Sequence, residues 1–164
     1  MRALPVTLLA LLIALTGCGG LLGGGSSLSV LEVAGRYRFV EYTLDPVSGA
    51  VDDIDLRDDV LPDDVTLLLR EDGTVSLQRL RGEQVDETLA QGSFTVSGDR
   101  VTVRFRSGDV GDYYMPAEIA FEGGDGRLEA EILREGLNLE RISSDYRGIT
   151  RADARLVIRL REIG

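Results

Sequence analysis

The protein has 164 residues with a net charge of −10, and all of its cationic residues are Arg. It contains neither His, Lys nor Trp, and one Cys. That excludes Ser-His-Asp and Cys-His nucleophile sites, Lys Schiff bases and the P-loop lysine, and it leaves no intramolecular disulfide. The acidic balance argues against nucleic acid as a partner and against spontaneous adhesion to anionic lipid.

The N-terminus opens with Arg2, followed by an apolar run over residues 4–15. Twelve helical residues rise about 18 Å, short of a hydrocarbon core of about 30 Å, so the run reads as a signal-peptide core. It closes on Leu15-Thr16-Gly17-Cys18. This tetrapeptide resembles the bacterial lipoprotein lipobox: Leu, then Ala, Ser or Thr, then Gly or Ala, then Cys. The resemblance implies that Cys18 receives a diacylglycerol thioether, that cleavage before it removes residues 1–17, and that its new amino group takes a further acyl group such as palmitate. It implies a lipid-anchored protein of the cell envelope. Gly19 stands where an Asp would signal inner-membrane retention, so the outer membrane is expected if the source has two. Residues 18–30, rich in Gly and Ser, read as a flexible tether with a span of roughly 20 Å.

Residues 31–164 form one domain large enough for its own core. Alternation marks antiparallel strands through it. Gly35, Tyr37 and Phe39 start the first, with a change of face that predicts a bulge near Val40 and Glu41. An Asp-rich connection follows, with Ile54, Leu56, Val60 and Leu61 as the apolar underside of a lid. Val65, Leu67 and Leu69 lead to the Glu71-Asp72-Gly73-Thr74 turn, and Val75 and Leu77 continue beyond it. Residues 88–96 make a further strand, Ser97-Gly98-Asp99-Arg100 a turn, and Val101, Val103 and Phe105 the next strand. Ala117, Ile119 and Phe121 precede the turn at residues 123–126. Leu128, Ala130 and Ile132 follow it, and Ala154, Leu156, Ile158 and Leu160 form the last strand. Residues 136–153 predict a short helix near 139–145 or an irregular extra strand. The expected fold class is all-β, an eight-stranded antiparallel up-and-down barrel, because closure removes exposed edges.

Val33-Ala34-Gly35-Arg36-Tyr37-Arg38-Phe39 resembles the Gly-x-Trp start of lipocalin-like proteins, with Tyr37 at the Trp position. Glu71-Asp72-Gly73-Thr74-Val75 and Gly92-Ser93-Phe94-Thr95-Val96-Ser97-Gly98-Asp99 are similar to segments of small bacterial lipocalin-like lipoproteins. The resemblance covers residues 33–135 and implies a barrel, in some members with an apolar ligand cavity.

The function expected is non-enzymatic and without cofactor: the barrel binds a small apolar ligand lined by Tyr37, Phe39, Leu67, Leu69, Val103, Phe105 and Ile119. A solid barrel that contacts another envelope protein is the alternative, and a carboxylate-dependent hydrolase a third. Asp52, Asp53 and Asp55 are the one candidate Ca²⁺ set, since hard cations take several oxygens, although the spacing lacks the EF-hand pattern. Arg155, Arg159 and Arg161 share a face and are expected to pair across strands with Glu129 and Glu131, or to stack on Tyr37 at the barrel base. Asp112-Tyr113-Tyr114-Met115-Pro116 is a candidate rim loop, with its two rings on opposite faces of an extended segment.

Overall fold

The computed structural model describes residues 27–48, 51–106, 110–142 and 146–164, without the side chains of residues 58 and 59. The expected signal segment, the lipobox-like residues Leu15, Thr16, Gly17 and Cys18, and the expected tether as far as residue 26 lie outside the described residues.

Eight long strands close into an antiparallel barrel: β1 (Gly35–Pro46), β3 (Val65–Leu69), β4 (Thr74–Arg81), β5 (Gln84–Ser97), β6 (Arg100–Phe105), β7 (Glu118–Gly124), β8 (Arg127–Leu137) and β9 (Ala152–Ile163). Each pairs with its neighbour in sequence, and β1 pairs with β9 to shut the cylinder. A two-residue strand, β2 (Ile54–Asp55), adds to the upper part of β1. The expected bulge is present: Phe39 opposes Leu160 and Glu41 opposes Arg159, so Val40 is the extra residue.

The two ends differ. At one end, here the base, the strands turn tightly at residues 70–73, 98–99 and 125–126, and the carboxyl terminus lies beside them. At the other, the rim, long connections run over residues 47–64, 106–117 and 138–151. Both ends are plugged. The base is covered by α1 (Val30–Val33), whose Ser29 and Glu32 form a reciprocal capping box that satisfies two N-terminal donors. Val33 is buried there, and the Leu28 amide donates to the Gly98 carbonyl at 2.8 Å. The tether expected through residue 30 therefore ends earlier: Leu28 and Ser29 are folded parts of the domain. The rim is covered from three sides by Ile54, Leu56 and Leu61, by Val110 and Met115, and by Leu139 and Ile142, all buried.

One further expectation is corrected. The strand expected at 88–96 begins at Gln84, and a tight turn at Gly82 and Glu83 joins it to β4. Residues 84–88 are all exposed, so no face of that stretch carries an apolar alternation. Within residues 136–153, β8 runs on to Leu137 and a 3-10 turn forms at Leu139–Arg141, where the short helix is expected to start, while residues 143–145 lie outside the described residues.

Candidate functional site: a filled interior, a looped rim and an arginine-bearing base

The predicted lining residues come together from four strands. Tyr37, Leu67, Leu69, Val103, Phe105 and Ile119 all belong to the single buried core, with exposures from 0 to 6%. Phe39 is half-buried, set aside by the bulge that follows it, and its ring meets Tyr42 edge-on at 5.6 Å between centroids. A side chain that faces a cavity wide enough for water keeps surface that water can reach, whether or not the cavity opens outward. These side chains keep almost none. The barrel interior is filled by its own buried side chains.

Tyr37 sits deep at the base and donates its hydroxyl to the Val33 carbonyl at 3.0 Å. Burial, and then the Glu162 carboxylate on the paired strand, push its phenol up to about 12. Arg155, Arg159 and Arg161 do not stack on it. They alternate with Leu156, Ile158 and Leu160, so they stand on the outer face while Tyr37 faces inward. There they form the cross-strand pairs that the sequence suggests: Arg159 lies between Glu41 and Glu129, the latter at 3.8 Å, and Arg155 lies between Asp45 at 3.8 Å and Glu131 at 3.9 Å. Arg161 belongs to a different row. It opposes Arg38 on β1 and Arg127 on β8, and all three are exposed.

At the rim, the 110–116 segment is not extended. Residues Gly111–Tyr113 form a 3-10 turn and Tyr114 adopts the left-handed region at φ 57°, so both rings lie half-buried and Met115 is the deep anchor. Tyr42, fully buried, donates its hydroxyl to the Tyr113 carbonyl at 2.6 Å. Burial raises the Tyr42 phenol far above its ordinary range, with the nearby Arg134 acting weakly against it. Arg134 donates to the Tyr114 carbonyl at 3.0 Å. It follows Leu128, Ala130 and Ile132 in inward register on β8, the signal by which sequence reading could have found it.

Arg57 organises the start of the Asp-rich connection's helical turn. Asp55 caps α2 (Leu56–Asp59), accepting from the Arg57 amide, and its carboxylate receives the Arg57 guanidinium at 2.6 Å. Those bonds hold the Asp55 carboxyl below its usual range. Arg57 also donates to the Val40 carbonyl at the bulge, at 2.9 Å. Asp52 and Asp53 are exposed. Among the described residues no three potential ligands converge, so the Ca²⁺ set is not assembled there.

Two clefts open at the rim. One, of about 530 Å³, is lined by Val47, Ser48, Val51, Ile149, Arg151, Ala152 and Asp153. The other, of about 520 Å³, lies between the 111–114 turn and residues 136–141. The sequence matches no protein-family model, and a search of curated proteins finds no match.

Proposed function

We propose that this protein is a lipid-anchored envelope protein whose barrel is a solid scaffold, non-enzymatic, holding its rim loops out for a protein partner. The observation that carries the reading is the filled interior: the residues expected to line a ligand cavity pack against one another, and loops plug the rim. That moves the apolar-ligand reading behind the interaction reading. The two ends of the fold differ in a way that supports this reading. The polypeptide enters at the base, where Cys18 and the tether would attach it to the bilayer, and the long connections lie at the opposite end. The rim cleft beside Val47, itself 67% exposed, provides an apolar contact centre. The neighbouring 47–64 connection contributes seven aspartates against the single Arg57, a charge pattern suited to a basic rim on the partner.

Photo-crosslinkers placed at Val47 and Ile149 in the native host test this. The expected result is one dominant protein adduct from the rim and none from a control position at Leu133 on the barrel wall. A co-purified lipid in native mass spectrometry, without a protein adduct, would overturn the scaffold reading in favour of a carrier. Fatty-acid labelling of the wild-type protein, lost in Cys18→Ser, tests the anchor separately.

A further inference from the structure

We infer that the outer wall of the base, built on Arg38, Arg161 and Arg127, is a docking face for the anionic phospholipid head groups of the bilayer that holds the anchor. The inference rests on the lipid-anchor reading above and extends it from a tether to an orientation.

The first argument is register. Arg38 opposes Arg161, and Arg161 opposes Arg127, so three guanidinium groups stand side by side across β1, β9 and β8. Like charges directly opposed on a sheet destabilise it. The adjacent row toward the rim shows what the same strands do when charge is balanced: Glu41, Arg159 and Glu129 alternate in sign and pair. Among the described residues the Arg38, Arg161 and Arg127 guanidiniums meet no carboxylate at ion-pair distance, and all three are exposed. An anionic surface in front of them would turn the repulsive row into a favourable one.

The second argument is position. The row lies at the end of the barrel where the polypeptide enters, since Arg38 is three residues from the start of β1 and Arg127 begins β8. About ten residues of Gly/Ser-rich tether separate Cys18 from the folded Leu28, a span of roughly 20 Å. A tether of that span holds the base within about two Debye lengths of the bilayer, close enough to reach the zone of its negative surface potential. Leu31, on α1 at the same end, is 69% exposed and adds an apolar side chain to the same approach.

The third argument is the uneven spread of a net charge of −10. The 47–64 connection at the far end sets seven aspartates against one Arg57, so the rim is the part that anionic lipid repels most. At the base the exposed acids Glu71, Asp72, Asp99 and Asp125 sit on the turns, so it is the wall that carries the arginine row, and not the turn tips, that meets the bilayer.

Phenylglyoxal footprinting of the full lipidated protein tests the inference, with vesicles of phosphatidylcholine alone or with about one third phosphatidylglycerol as probes. Arg38, Arg127 and Arg161 should be modified at least severalfold more slowly on the anionic vesicles, with Arg81 at the rim end unchanged. The protection should fade at high salt, because exposed charges are screened over about 10 Å at 0.1 M. Equal modification on both vesicles, with a diacylated N-terminal peptide in the same digest, overturns the docking face alone. Protection already present without vesicles assigns the row to a second copy of the protein and also overturns it. An N-terminal peptide lacking diacylglycerol overturns the anchor and the docking face together.

Discussion

The Tyr42 hydroxyl and the Tyr113 carbonyl, 71 residues apart in sequence, meet at 2.6 Å and pin the 111–115 loop to the top of β1. The bond is sheltered, since Tyr42 has no exposed surface. Tyr42→Phe removes the donor and leaves a shielded carbonyl, which costs about 1–3 kcal/mol. Denaturant titration should show this loss, together with faster amide exchange confined to residues 110–116. Unchanged stability and exchange would mean that Arg134 and Met115 hold the loop without Tyr42.

Gly92 lies where β5 crosses close to β6. A Cβ there would overlap the Arg104 carbonyl oxygen. Gly92→Ala should therefore destabilise by about 1–3 kcal/mol, the range for forced overpacking. Gly111→Ala meets nothing within 4 Å and should stay within about 0.5 kcal/mol of wild type. Thermal unfolding of the two variants side by side gives the comparison.

Tyr37 and Tyr42 set the alkaline limit. Their folded phenols titrate above the ordinary value of 10.0, Tyr37 at about 12. Raised folded values mean that the stabilisation is whole below pH 10 and is lost as pH climbs toward 12, because only the unfolded state then releases those protons. Stability should fall steeply over that window, and Tyr37→Phe should flatten the fall. Absorbance at 295 nm, free of any Trp contribution, should show Tyr37 and Tyr42 ionising only with unfolding.

Arg57 governs the acid side of the lid. The Asp55 carboxyl is held below its ordinary value of 3.8 by the Arg57 side chain, so its contribution is present above that value and disappears as pH falls through the lowered one. In Arg57→Met this acid loss should shrink, and residues 54–61 should exchange faster at neutral pH. Arg159→Met, by contrast, removes only exposed pairs and should cost under about 1 kcal/mol.

Several elements were legible because their chemistry is local. Val101, Val103 and Phe105 alternate cleanly with polar residues, and the turns at residues 73, 98 and 126 place Gly at positive φ, where other residues are strained. The start of β5 was not legible, since a hairpin exposed on both faces carries no apolar period. Phe39 was legible as apolar but not as half-buried, because that outcome depends on which residue the bulge expels. The Arg38–Arg161–Arg127 row was likewise hidden: each arginine reads alone as a solvated strand position, and only pairing across the barrel sets them side by side.

The amino-acid order alone determined the eight barrel strands, the antiparallel class and most of the apolar set that fills the core, because period-two alternation and Gly turns act within a few residues. The tertiary structure decided whether the barrel is hollow, which end the polypeptide enters, and which charges face each other. Those outcomes depend on side-chain volumes summed across the cylinder and on registers between strands more than 100 residues apart, as between Arg38 and Arg161, quantities that no local window contains.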